Sequence, residues 1–289
     1  MEGKRGANGV LVELLRGIQN QFSGSYAVYA EHLGRGEIIA FGEVERPFET
    51  ASVMKVPVLV EALRQCENGI HCLDEPITYL PEDFVKGSGV LQHLTAGISL
   101  PFRDVLTLMI IVSDNLATNM AIRTVGLDAV NQLCRDAGLS STQVRRKIAF
   151  DSPDPLALSS PRDLVELLKA IHRQTLLSPE YSAIALDIME RQQYNTILTR
   201  ALPYELLDDN GDDPPRVRVM SKSGSLTGVR NDAGLVATPW GTYAIAIMSE
   251  GSTDPRFHVD TEAQVVLPAV SRAVFDHFVG DAWARETDA

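Results

Sequence analysis

A serine and a lysine three residues apart, Ser52 and Lys55, stand at the head of the apolar run Val56-Pro57-Val58-Leu59-Val60. On a helix this spacing puts both side chains on one face, so the amine can reach the hydroxyl. A serine hydroxyl is a weak nucleophile until a base takes its proton. Lysine can be that base only where burial or a neighbouring cation lowers its pKa by several units, and the flanking apolar residues supply the burial. Ser followed three later by Lys arises by chance in most chains, so the pair gains meaning from its company. Ser113-Asp114-Asn115 follows 61 residues after Ser52, and Lys222-Ser223-Gly224 a further 109 residues on. These add hydroxyls that can relay a proton and a second amine that can attract an acidic substrate.

The elements that must bring these pieces together can be read from periodicity. Residues 10–22 place Leu11, Leu15, Ile18 and Phe22 at helical spacing, and Ser23-Gly24-Ser25 ends the run. Residues 26–31 and 37–42 read as a hairpin about Leu33-Gly34-Arg35-Gly36. A helix carrying Ser52 runs toward Arg64 and is apolar nearly all round, as a helix in the middle of a domain should be. Pro57 predicts an irregularity just after the reactive pair, because it lacks the amide that would bond to Val53. Ser99-Leu100-Pro101 reads as the start of a helix ending at Ser113, followed by helices to Val125 and over 128–137. Residues 140–158 look irregular, and helices follow from Pro161 and Pro179. After Leu202 an acidic turn over 208–215 leads into strand-like segments at 217–221, 228–237 and 242–249, and a helix within 260–278 closes the chain. The simplest packing is an α+β molecule of two lobes. Residues 1–49 and 200–289 form a five-stranded antiparallel sheet flanked by the N- and C-terminal helices, residues 50–199 form an all-helical lobe, and a ligand is expected in the cleft between them.

At 289 residues and 45% hydrophobic content, the chain can bury a large core. A net charge of -12 excludes a phosphate-binding surface, so nucleic acid is not an expected partner. No run approaches the ~18 apolar residues of a membrane span. The N-terminus lacks the apolar stretch and small-residue cleavage site of a signal peptide, which points to a cytoplasmic protein, secreted only if a leader has been removed. Cys66, Cys72 and Cys134 are an odd set that suggests reduced thiols. Cys66, His71 and Cys72 match no zinc spacing, and neither a metal nor a cofactor is expected. The oligomeric state leaves no trace in the sequence.

The order Ser52-x-x-Lys55, Ser113-Asp114-Asn115, Lys222-Ser223-Gly224 resembles the class A β-lactamase and penicillin-binding protein superfamily of serine hydrolases. The likeness covers nearly the whole chain in element order and extends to Gly87-Ser88-Gly89-Val90-Leu91, Leu158-Ser159-Ser160-Pro161 and Thr227-Gly228-Val229-Arg230-Asn231-Asp232. It implies that Ser52 attacks a carbonyl and carries the acyl group while Lys55 takes its proton. Ser113 would relay a proton to the leaving nitrogen from between Lys55 and Lys222, and Asn115 would anchor Lys55 and bind a substrate amide. Ser223 and Arg230 would hold the carboxylate of a small-molecule substrate, Lys222 would add positive potential, and the backbone amides of Ser52 and Ser225 would form the oxyanion hole. Asp114 reads as a folding residue at a helix junction.

The pattern departs from class A β-lactamases in one place. Those enzymes carry a glutamate, in the loop after the SDN helix, that activates water to release the acyl group. Between Asn115 and Pro161 this chain has no glutamate, and residues 144–158 form a short loop offering only Asp151 and Asp154. Either could activate water, and an aspartate flanked by prolines is equally well read as turn chemistry. Three functions follow. The first is a hydrolase acting on β-lactams, esters or small amides, with weak or slow β-lactam turnover. The others are a penicillin-binding-protein-like D,D-peptidase or acyltransferase, and a sensor that stays acylated.

Overall fold

Side chains that alternate between two apolar surroundings decide the architecture. In the computed structural model, which describes residues 2–208, 214–280 and 282–283, Tyr26, Val28 and Ala30 point into one hydrophobic core while Ala27 and Tyr29 point into another. The acidic turn expected over 208–215 lies mostly outside the described residues. In chain order the elements are α1 (Glu2–Gln19), β1 (Ser25–His32), β2 (Glu37–Phe41), β3 (Phe48–Glu49), a 3-10 turn (Ala51–Met54), α2 (Lys55–Glu67), β4 (Pro76–Thr78), β5 (Ser99–Pro101), α3 (Phe102–Ile111), α4 (Asn115–Val125) and α5 (Leu127–Asp136). Then come β6 (Gln143–Val144), β7 (Ala157–Ser159), α6 (Pro161–His172), α7 (Pro179–Glu190), α8 (Tyr204–Leu207), β8 (Arg218–Leu226), β9 (Val229–Thr238), β10 (Gly241–Glu250) and α9 (Glu262–Phe275).

The main sheet has the order β2-β1-β10-β9-β8, antiparallel throughout, so the early hairpin joins the three late strands as expected. One face packs on Leu11, Leu15 and Ile18 of α1 and on Leu267, Val270 and Val274 of α9. The buried Tyr26 hydroxyl donates to Leu15 O at 2.6 Å, tying strand to helix. The other face packs on α6 through residues such as Val165 and Leu168. Each such side chain contributes roughly 1.5–3 kcal/mol by leaving water. Strand β8 is the outermost on its side, so its free edge is turned to the segment that bears Ser52.

The middle of the chain is helical and also carries two small sheets, β3-β7-β6 and β4-β5. Ser99-Leu100-Pro101 is not a helix start: it forms β5, with Ser99 opposite Thr78 and Pro101 opposite Pro76, and α3 begins at Phe102. Leu100 precedes a proline, which disfavours helical backbone there. Pro57 is also better accommodated than its position predicts. It is the third residue of α2, in the first turn, where amides have no partner within the helix. The irregularity lies earlier, in the 3-10 turn that carries Ser52. Among the described residues, no helix is long and apolar enough to cross a membrane.

Candidate active site

The turn bearing Ser52 is pinned from two sides. Thr50 N donates to Ala157 O of β7 at 3.1 Å, and Asn231 of β9 donates its side-chain amide to Glu49 O at 2.8 Å. Ala51 has φ +49°, a left-handed conformation that costs a non-glycine residue of order 1–3 kcal/mol. On the far side stands Gly224 of β8. A Cβ there would lie 2.6 Å from Thr50 O and 2.9 Å from Ser52 N, so only glycine lets the strand come this close. The strand bearing Lys222 therefore runs directly beside Ser52.

Lys55, the first residue of α2, is wholly buried. Its Nζ donates to Ser113 O at 2.7 Å, to Ser113 Oγ at 2.9 Å and to Asn115 Oδ1 at 2.9 Å. Burial, and then the charge of Lys222, hold its pKa well below the ordinary lysine value against the pull of Asp114. Those three acceptors match the three hydrogens of the amine, and among the described residues it makes no hydrogen bond to Ser52 Oγ. The direct Ser52–Lys55 bond that the spacing predicts is thus not made.

Ser113 lies between α3 and α4 with φ +53°, the second non-glycine in this site held left-handed. Asp114 caps α4 by accepting from Ala117 N at 2.9 Å, and its other oxygen takes Val90 N and Leu91 N at 2.6 and 2.8 Å. Every carboxylate oxygen of Asp114 is thus spent on backbone. Gly89, at φ +102°, lies so close that a Cβ would fall 2.2 Å from the Asp114 carboxyl carbon. The Gly87-Ser88-Gly89 turn and the Ser113-Asp114-Asn115 junction are locked together, and Asn115 N donates to Ser88 O at 3.0 Å.

Lys222 is also wholly buried, and burial lowers its pKa to about 7 against the pull of Asp232. Its Nζ donates to Ser223 O at 2.7 Å and approaches Gln192 Oε1 at 3.5 Å. Ser113 is not among its partners, so the bridge expected between Lys55 and Lys222 reaches only Lys55. Gln192 gives no sign of importance in the sequence, yet it grips β8 from the end of α7. Its Oε1 accepts from Ser223 N at 2.6 Å and Ser223 Oγ at 3.0 Å, and its Nε2 donates to Ser221 Oγ at 2.7 Å. Beneath lies Asp232, pushed up to about 6 by burial; one oxygen accepts from Leu198 N at 3.2 Å and the other has no partner. Ser225 pairs across the β8–β9 ladder with Arg230, whose guanidinium is buried and gives its bonds to backbone carbonyls.

These pieces surround a cleft of about 710 Å³ lined by Ser52, Ser113, Asn115, Ser223, Ser225 and Arg230, among others. Asp151 and Asp154 are not brought to it. Arg146 explains why: its guanidinium pairs with Asp151 at 3.1 Å and takes Asp154 O at 2.7 Å, which turns the loop inward on itself and leaves Asp151 exposed. The same loop instead presents Ile148, Phe150 and Leu156 to the cleft.

Solved structures settle the class. The β-lactamase of Sphaerobacter thermophilus matches with a TM-score of 0.80 at 30% identity, over 91% of this chain and 95% of that one. PBP-A matches with a TM-score of 0.77 at 30% identity, over 92% and 96%. The fold is that of the class A-like serine β-lactamases and penicillin-binding proteins. The sequence profile of the β-lactamase enzyme family covers residues 11–278, and the chain belongs to that family of serine hydrolases. A β-lactamase of Rhodobacter capsulatus is 28% identical over 77% of this chain and 73% of its own length. The carbapenem-hydrolysing β-lactamase KPC of Klebsiella oxytoca is 25% identical over 90% and 86%.

Proposed function

We propose that the protein forms an acyl-enzyme on Ser52 with β-lactams, esters or small amides that carry a carboxylate, and releases the acyl group slowly. The observation that carries this is the buried Lys55 amine, bonded to Ser113 and Asn115 on one side of a cleft whose other side is the edge of β8 beside Ser52. Unprotonated, Lys55 can accept a proton from either neighbouring hydroxyl. As the bond from Ser52 Oγ to the carbonyl carbon forms and the carbon–nitrogen bond breaks, the proton of Ser52 passes by way of Lys55 and Ser113 to the departing nitrogen. Substrate draws Ser52 and Lys55 into contact, since hydrogen bonds of this kind tighten on complex formation. The amides of Ser52 and Ser225 serve as the oxyanion hole, each contributing about 3 kcal/mol. Lys222, Ser223 and Arg230 receive the carboxylate.

Slow release follows from the loop, where Asp151 pairs with Arg146 and Asp154 accepts from Ser152 away from the cleft, and no glutamate replaces them. The same feature favours a second reading, a penicillin-binding-protein-like acyltransferase that passes the acyl group to an amine. A variant of PBP-A has been solved as an acyl-enzyme complex with penicillin G, at 30% identity to this chain. Mixing the protein with a chromogenic cephalosporin while recording intact mass tests both. A long-lived adduct on Ser52 with slow turnover is expected; rapid turnover with no adduct refutes the slow-release step, and neither colour nor adduct refutes acylation.

The contact at Gly224 gives a sharper test of the geometry. Gly224→Ala must push β8 away from two backbone atoms of the Ser52 turn, and a shift of this size costs about 10²-fold in rate. The loss should appear in the second-order rate of adduct formation. An unchanged rate would show that β8 and the turn need not be this close.

A further inference from the structure

The cleft has a wall that the acylation chemistry does not use. Phe257 and Val259, from the loop between β10 and α9, are 67% and 56% exposed and face the cleft beside Leu226, Thr227 and Arg230. The loop that carries them is held by hydrogen bonds on either side of Phe257 and Val259. Asp254 Oδ1 accepts Arg256 N at 3.2 Å and Nε at 2.8 Å, while Oδ2 accepts Arg256 Nη2 at 2.7 Å and Glu262 N at 3.0 Å. Arg256 O in turn accepts Arg230 Nη2 at 2.5 Å, and the Phe257 ring lies over the Arg230 guanidinium at 4.7 Å. The loop is a braced wall, set before any ligand arrives.

Arg230 points to what the ligand carries. Its Nη1 donates to Leu226 O at 2.5 Å and Val229 O at 2.7 Å, which uses both hydrogens of that nitrogen. Nε is buried with no partner, one Nη2 hydrogen is unused, and Arg230 forms no ion pair among the described residues. A buried cation with spare donors at the rim of a cleft calls for an anion. The braced ring and the cation with its spare donors are adjacent, so the anion and an apolar group must be adjacent in the ligand too.

We propose, on the footing of the acyl-transfer reading, that Arg230, Phe257 and Val259 form a subsite for the departing half of the substrate. It takes a carboxylate whose neighbouring carbon bears a bulky aromatic or branched group, in preference to a hydrogen or methyl group. A terminal alanine, with its single methyl, leaves this wall uncovered.

Two phenylacetyl thioesters differing only in the leaving half, 2-mercaptopropanoate and 2-mercapto-3-phenylpropanoate, test the idea. The Ser52 Oγ–carbon bond forms as the carbon–sulfur bond breaks, the serine proton goes to the sulfur, and the free thiol is read by colour; water then releases phenylacetate. The phenyl-bearing ester should have a kcat/KM about 10-fold higher or more. Phe257→Ala should bring that ratio near unity, and Phe257→Leu, which keeps apolar bulk, should retain most of it. Equal rates in the native protein, or an unaltered ratio in Phe257→Ala, would overturn the subsite while leaving acylation intact. Calorimetry on the Ser52→Ala protein separates the two claims, because it needs no reaction. If 3-phenyllactate binds about 10-fold tighter than lactate while the native protein cleaves neither thioester, the subsite stands and the acyl-transfer reading falls.

Discussion

Ser52→Ala should give a folded protein that gains no mass from a β-lactam and whose turnover drops by about 10⁴-fold or more. The loss should be chemical, not structural. Among the described residues the Ser52 hydroxyl makes no hydrogen bond, and the turn that carries it is held by Thr50, Asn231 and the close approach of Gly224. Melting temperature should therefore move little while adduct formation vanishes. Intact mass, initial rate and a thermal melt on one preparation decide the matter, and an adduct that survives the substitution would place the nucleophile elsewhere.

Lys55→Met should cost about 10³-fold or more in the rate of acylation, the upper part of what a positioned base contributes. The pH profile carries the more specific expectation. Lys55 must be neutral to act, so the native rate rises with pH as this amine, held below the ordinary lysine value, gives up its proton. Lys222 must be charged to help bind a carboxylate, and it loses that charge as pH passes about 7, so kcat/KM should fall beyond it. The alkaline limb should be absent for a substrate lacking the carboxylate, and the acid limb should be absent in Lys55→Met. Linkage fixes the effect on folding. Lys222 titrates at about 7 folded and 10.5 unfolded, so the unfolded chain binds more protons in that window and stability rises with pH across it. Asp232, at about 6 folded and 3.8 unfolded, works the other way: stability falls as pH rises from 3.8 to 6. A native acid limb surviving in Lys55→Met would assign the base to another group.

Much of this was legible in the chain and some of it could not be. The hairpin and the three late strands stand out as mostly apolar runs bounded by turn residues, the central three buried on both faces in the sheet, and the three polar clusters mark the cleft. β3 and β6 are two residues long, too short to show a period, so the small sheet that anchors Thr50 leaves no trace. Gln192 sits in Arg191-Gln192-Gln193, which reads as the solvated end of a helix; nothing local distinguishes the residue that grips β8 from its exposed neighbours. Asp151 and Asp154 show the opposite failure, since their residue type suits a base and only the loop's own contacts, Arg146 to Asp151 and Ser152 to Asp154, decide that they face elsewhere. Phe257-His258-Val259 did carry a usable sign, two large apolar residues in a turn-rich segment with no helix or strand to bury them.

The left-handed backbone at Ala51 and Ser113 has a consequence for how such a protein would respond to breeding in the laboratory. Ala51 precedes the nucleophile and Ser113 is itself a reacting group, and both hold the chain in a posture that opposes folding. A library selected only for survival of heating, with no demand for turnover, should accumulate glycine or asparagine there first. Winners at 113 would be hardier and idle.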